Sequence, residues 1–247
     1  MFIYAVDELA EPLSNLFSIL LKEGIWPESL SRCIFFPLIK DGNSSASRSS
    51  NYRGIAIEPV ISRIFEALYE ARNKDRFRTN AHQYAYKTGE SCSSCAYTLL
   101  EVVEYYAKRN SSVQLLFLDV RKAFDKLVPS ILCSKLLDRS VPAAEVKLLH
   151  QILTSSSGVV KYDRVFSSPF KLEAGVRQGS LLRGLLWTIY VDALISDLQQ
   201  GCHIEGCGIA AVFFADDICL ISATNAGLRT LVEITEKFAV EQQVKGS

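Results

Sequence analysis

Apolar residues recur at three- and four-residue spacing at Leu9, Leu13, Phe17, Leu20 and Leu21, which predicts an amphipathic helix. Gly24 and Pro27 predict its end. The apolar run Cys33 to Ile39 predicts a strand, and the polar stretch Asn43 to Asn51 predicts a mobile loop. Pro59 opens a second helix along Val60, Ile61, Ile64, Phe65 and Leu68, with Arg63, Glu66 and Glu70 on its far side. Leu99, Val102, Val103 and Tyr106 mark a third helix, leading into the strand-like run Gln114 to Leu118. Leu132 to Leu149 reads as helical on both sides of Pro142, and Val159 to Leu172 as a hairpin. The clearest helix carries apolar side chains at positions 181, 182, 185, 186, 189, 190, 193 and 194, and should pack under a sheet. A last helix follows along Leu228, Leu231, Val232 and Phe238. Together these elements predict an α+β layer architecture, an antiparallel sheet backed by helices.

One run breaks the pattern. Asp216 and Asp217 interrupt an apolar stretch from Ala210 to Ser222, which predicts two short buried strands joined at the acidic pair. Burying adjacent carboxylates costs several kcal/mol per ion unless something positive compensates. No Lys or Arg lies between Arg183 and Arg229, so a divalent cation, which prefers carboxylate oxygens, is the natural counter-charge. The strand-like run Gln114 to Leu118 ends on a third carboxylate, Asp119. Were Asp119 to face the acidic pair, the three could hold two metal ions about 3.5–4 Å apart. The competing reading makes Asp119 a cap and the pair an ordinary turn, although Asp-Asp is not a favoured two-residue turn.

Leu118-Asp119-Val-Arg-Lys-Ala-Phe-Asp125, then Gly175-Val-Arg-Gln-Gly179 ahead of a helix, then Phe214-Ala-Asp-Asp217, follow one another along the chain. With Phe36-Pro-Leu-Ile-Lys-Asp-Gly42, Tyr52-Arg-Gly-Ile55 and His82-Gln-Tyr-Ala-Tyr-Lys-Thr-Gly89, this order resembles the reverse transcriptase domain of non-LTR (LINE-type) retrotransposons over about residues 25 to 240. The resemblance implies a right-hand polymerase of palm and fingers. Its divisions would be an N-terminal helical extension (1–26), fingers (27–112), a first palm segment (113–128), an insertion between fingers and palm (129–170), and the palm with its catalytic hairpin (171–247). It implies that Asp119 and Asp216 bind metal, with Asp217 their neighbour. Lys40 and Arg53 would contact the triphosphate, where point charges and donor forks suit phosphate oxygens. Phe124 would stack beneath the incoming sugar and exclude a 2′-hydroxyl. Gln178 and Gly179 would contact template and nucleotide, glycine allowing close backbone approach.

The same resemblance implies two Mg²⁺ ions (Mn²⁺ a possible substitute), an RNA template, a DNA primer and dNTPs. The chain departs from the pattern at Ser180-Leu-Leu-Arg-Gly184, where two prolines are usual, and at Arg53-Gly54-Ile55, where the middle residue is usually proline. The family's thumb and endonuclease are not within these residues, so the chain is expected to be a fragment of a longer polyprotein or a truncated copy.

With 247 residues and 49% apolar content, the chain can bury a sizeable core. The net charge is zero, but residues 190–247 hold eight acids against three bases, leaving 24 bases against 19 acids before them. That split suits an acidic metal-binding end and a mildly basic remainder able to hold a nucleic-acid backbone, as could Arg72, Lys74, Arg76 and Arg78. Seven scattered cysteines, with no signal-peptide pattern at the N-terminus, predict free buried thiols in an intracellular setting, nucleus or cytoplasm unresolved. Cys92, Cys95, Cys202, His203 and Cys207 are a weaker zinc alternative, and His82 and His150 read as structural. No apolar stretch reaches the ~18 residues that span a bilayer.

The leading expectation is therefore RNA-directed DNA synthesis. Its rivals are an inactive, degenerate fragment retaining only the fold or nucleic-acid binding, and another carboxylate–metal enzyme such as a nuclease or cyclase. The last leaves Arg177-Gln178-Gly179, Phe124 and Lys40 unexplained.

Overall fold

The periodicities resolve into helices and strands close to where the sequence places them. A computed structural model describes the chain except residues 1–5, 41–44, 46, 49–50, 121–125, 156, 172–179, 199–200 and 243–247. Two compact units emerge, one of Met1–Arg76 with Cys133–Arg183, the other of Phe77–Leu132 with Gly184–Ser247. The predicted loop from Asn43 to Asn51 lies largely outside the described residues.

In the first unit, α1 (Val6–Glu23) ends at Gly24, whose φ of +61° is left-handed and suits a residue without a Cβ. A short α2 (Glu28–Ser31) leads into β1 (Arg32–Ile39), and β2 (Tyr52–Ile57) pairs antiparallel with it. After Pro59, α3 (Val60–Arg72) presents Phe65 and Tyr69 to the core. Their rings stack at 5.7 Å, while Phe17 and Trp26 meet Phe65 at 5.4 and 5.0 Å. From α6 (Ala143–Thr154), Gln151 clips the turn after α1: its Oε1 accepts from the Trp26 N–H at 2.8 Å and its Nε2 donates to the Gly24 carbonyl at 3.1 Å.

The sheet of this unit is mixed rather than purely antiparallel. β4 (Ser157–Tyr162) runs parallel to β1, and β5 (Val165–Phe166) and β6 (Phe170–Lys171) both pair antiparallel with β4, the hairpin expected there. Pro37 is tolerated in β1 because β4 pairs only as far as Phe35, so its missing N–H interrupts no second ladder.

In the second unit, Ser91 caps α4 (Cys92–Ala107), its hydroxyl accepting from the Ser94 N–H at 3.2 Å. β3 (Gln114–Asp119), β10 (Asp217–Ser222) and β9 (Ala211–Phe214) form an antiparallel sheet in that order. β7 (Cys202–Ile204) and β8 (Cys207–Ile209) make a separate hairpin. Thr224 caps α8 (Asn225–Glu241), which packs on β10 and β3. On the other face, Val102 of α4 meets Val212, Cys219 and Ile221 in one cluster. Helices α5 (Pro129–Asp138) and α7 (Leu182–Asp197) each contain a division between the units. α7 is buried well beyond the predicted stripe, with Trp187, Val191 and Ile195 inside, although Leu181 and Ala193 of that stripe are exposed.

The thiols divide. Cys33, Cys202 and Cys219 are buried, whereas Cys92 and Cys207 are exposed, which corrects the expectation that all are buried; all seven are free. Among the described residues no helix is long and apolar enough to cross a membrane.

Candidate active site

Strand register brings the three aspartates together. Asp119, the last residue of β3, lies directly opposite Asp217, the first residue of β10. Residues directly opposite on antiparallel strands share a face, with Cβ atoms about 4.5–5.5 Å apart. Asp216 sits in the turn, its carbonyl accepting from the Val120 N–H at 3.4 Å. The β9–β10 hairpin closes on the pair Phe214 and Asp217, so the two-residue turn is Ala215–Asp216, one position earlier than an Asp-Asp tip. Asp119 and Asp217 are exposed, as is Phe117, two residues before Asp119 on the same face. Asp119 and Asp217 therefore stand exposed at adjoining strand ends, with Asp216 half-buried in the turn, which lowers the burial penalty expected from the apolar run.

The face is shared with the start of α4. Burial, then the charges of Cys92 and Asp217, push the Cys95 thiol up to about 11. Burial and the neighbouring Cys95 likewise push Cys219 up to about 11. Both remain protonated near neutral pH and add no negative charge beside the aspartates.

The turn itself is strained. Ala215 has a φ of +59°, a region that costs an L-residue about 1–2 kcal/mol, though hairpins of two residues favour primed turns with positive φ. Its peptide groups are held on both sides. The Ala215 N–H donates to Oε1 of Gln83 at 3.2 Å, and its carbonyl accepts from Nε1 of Trp187 at 3.1 Å. Gln83 is completely buried, and its own backbone runs beside β9: Tyr84 N–H donates to the Phe213 carbonyl and Phe213 N–H to that of His82, both at 2.9 Å. Sequence reading placed Gln83 in a motif without a task. The signal available was a glutamine followed by apolar Tyr84 and Ala85, too weak to reveal its partner.

Lys40 and Arg53 belong to the other unit. Arg53 pairs with Leu38, and the Lys40 N–H donates to the Asn51 carbonyl at 2.9 Å, so both cations stand at the loop end of the β1–β2 pair. Of the basic residues expected to face a nucleic-acid backbone, Arg72 meets Glu145 at 3.8 Å and Arg76 donates to Oδ1 of Asn73 at 2.8 Å.

Glu66, expected on the outer face of its helix, is instead buried. Its Oε2 accepts from the Ser180 hydroxyl at 2.9 Å and from the N–H groups of Leu181 and Leu182 at 2.7 and 3.4 Å. A carboxylate here meets the orphan donors at the start of α7 and the positive end of its dipole. It anchors the chain just after Gln178 and Gly179, which with Phe124 lie outside the described residues.

The donor set fits a hard divalent cation: carboxylate oxygens at adjoining strand ends, with no Lys or Arg in the sequence from 184 to 228 around Asp216 and Asp217. Among the described residues no three acidic, cysteine or histidine side chains are grouped tightly enough to hold an ion. The aspartates are thus neighbours in register, not a closed cage, and the cysteines with His203 form no zinc-like group there.

The model of the family Reverse transcriptase (RNA-dependent DNA polymerase) matches residues 39–246. Over 228 residues the chain is 26% identical to the retrovirus-related Pol polyprotein from type-2 retrotransposable element R2DM of Drosophila melanogaster, covering 91% of this chain and 21% of that one. It is 29% identical over 175 residues to the probable RNA-directed DNA polymerase from transposon X-element of the same species, covering 69% and 19%. The chain therefore spans about a fifth of the length of these relatives. Among solved structures, telomerase from Candida tropicalis aligns with a TM-score of 0.63 at 12% identity, over 97% of this chain and 48% of that one. Telomerase from Candida albicans, solved with a fragment of telomeric RNA, aligns at 0.61 and 14%, over 99% and 45%. The α+β architecture is accordingly a polymerase fold. With the match spanning most of its length and the motifs in the family's order, the chain belongs to the reverse transcriptase family, beside the polyproteins of non-LTR retrotransposons.

Proposed function

We propose that this chain is the polymerase core of a non-LTR retrotransposon protein, extending a DNA primer with dNTPs on an RNA template inside the cell. One observation carries the reading: Asp119 faces Asp217 in register, with Asp216 in the adjoining turn. These three would hold two Mg²⁺ ions, or Mn²⁺ in their place. Bound there, the metal supplies charge neutralisation on the triphosphate and lowers the pKa of the attacking 3′-hydroxyl.

The rest is positioning by the chain's own side chains, the main source of rate in phosphoryl transfer. Lys40 and Arg53 are assigned to the triphosphate and Phe124 to the sugar, where an aromatic ring fills the space a 2′-hydroxyl needs. Gln178 and Gly179 are assigned to template and nucleotide, and Glu66 fixes the residues that follow them from Ser180 on. The unit bearing Lys40 and Arg53 would be largely fingers, and the unit bearing the aspartates the palm. The exposed Phe117 offers an aromatic surface beside the acids.

The test is primer extension on an RNA template with Mg²⁺ and dNTPs, comparing the purified chain with Asp216→Asn. Extension by the wild type, lost to background in a variant that melts like it, is the expected result. Failure of both proteins, each folded, would leave the family assignment intact and remove the activity. Undiminished extension by Asp216→Asn would end the metal assignment.

A further inference from the structure

The turn that carries Asp216 depends on two side chains that lie far from it in sequence. Ala215 holds a left-handed φ of +59° although alanine gains nothing there that glycine would not. Its N–H is taken by Gln83 and its carbonyl by Trp187, both essentially without solvent exposure. Gln83 is in turn fixed: the same Oε1 accepts from the Ala85 N–H at 3.0 Å, and its backbone bridges to Phe213 of β9. The arrangement is costly, since Nε2 of Gln83 is buried with no hydrogen-bond partner. Hydrogen bonding of both peptide groups of one strained residue, by buried side chains from two other elements, over-determines that residue's conformation.

We propose that Gln83 and Trp187 are positioning residues that hold the Ala215–Asp216 turn in its left-handed form, presetting the Asp216 and Asp217 carboxylates opposite Asp119 for divalent cations. This rests on the proposed polymerase reading. Neither residue touches the nucleotide or the metal; each acts through the backbone of Ala215. The requirement comes from alanine's Cβ. Without the clamp the strained alanine is held by the hairpin pairing alone, and the direction of the following carboxylates is less tightly set.

The experiment uses the full chain and Mn²⁺ as the probe, with binding followed by loss of the free-ion paramagnetic resonance signal. Gln83→Met keeps length and bulk but removes the acceptor; Trp187→Phe keeps the ring but removes the donor. Each is expected to weaken Mn²⁺ binding about tenfold or more. Each should also lower kcat for dNTP incorporation while leaving the KM for dNTP within about twofold. Adding Ala215→Gly is the decisive step, because glycine adopts positive φ without the side-chain penalty. The double variants should recover most of the lost Mn²⁺ affinity and kcat, whereas a merely destabilised core would not be rescued by removing a methyl group.

Folded Gln83→Met and Trp187→Phe proteins with wild-type Mn²⁺ affinity would overturn the clamp while leaving the polymerase reading intact. Weakened binding that Ala215→Gly fails to restore would overturn it equally. Absence of Mn²⁺ binding in the wild type would sink the metal-site reading itself, and the clamp with it. If Gln83→Met does not fold, Trp187→Phe with and without Ala215→Gly decides the question alone.

Discussion

Glu66 shows how a single residue can reverse the role its periodicity assigns. On α3 it falls between Arg63 and Glu70 on the polar side, yet it is buried and accepts three hydrogen bonds from residues 180–182. Removing the carboxylate leaves the buried Leu182 N–H and two part-buried donors without that acceptor, at a cost of about 1–3 kcal/mol for a fully buried group. Glu66→Ala should therefore lower stability in urea unfolding by roughly 2 kcal/mol or more, and Glu66→Gln, which keeps an acceptor, by clearly less. Equal stability of Glu66→Ala and wild type would show that the segment finds other partners. The three aspartates were legible as candidates for one site because two interrupt an apolar run and the third ends another. Glu66 was not, because its partners lie 114 to 116 residues away.

Among the elements, the α1–α2 connection shows what local rules decide and what packing adds. Gly24 follows α1 as a helix-ending glycine should, with its N–H bonded to the Leu20 carbonyl at 2.9 Å. Tertiary packing makes the position stricter, since a Cβ there would stand 2.7 Å from the Ala144 carbonyl oxygen of α6. Gly24→Ala should thus cost more than the about 1–2 kcal/mol of the left-handed backbone alone. Differential scanning calorimetry would read this as a lowered Tm, and an unchanged Tm would show that α6 yields freely. The hairpin makes the same point: two apolar runs around acids predicted strands joined by a turn, but the one-residue displacement to Ala215–Asp216 follows from pairing of Phe214 with Asp217. Which carboxylate faces Asp119 is set separately, by the β3–β10 register.

For the whole molecule, charge is the property with functional reach. The net charge is zero, yet the basic excess lies before residue 190 and the acidic excess after it. Binding of an RNA–DNA hybrid should weaken with added salt, as counterions released from each contacted phosphate return, with a slope of about −0.7 to −0.9 per contact. Without divalent cation, Asp119→Asn should bind the hybrid more tightly than wild type, since the variant carries one negative charge fewer. Fluorescence anisotropy across a KCl series checks both. Salt-independent binding would show that the basic excess is not directed at the backbone.

By itself, the sequence determined the periods of the elements, the position of the helix-ending glycine, the three carboxylates, and membership in a polymerase family. These are properties of short stretches, written in spacing and residue type. The tertiary structure alone decided that Asp119 pairs with Asp217, that α7 is buried on most sides, that Glu66 turns inward, and that Gln83 and Trp187 meet at Ala215. Register and long-range hydrogen bonds depend on which surfaces exclude water together, and no local pattern encodes a partner 132 residues distant.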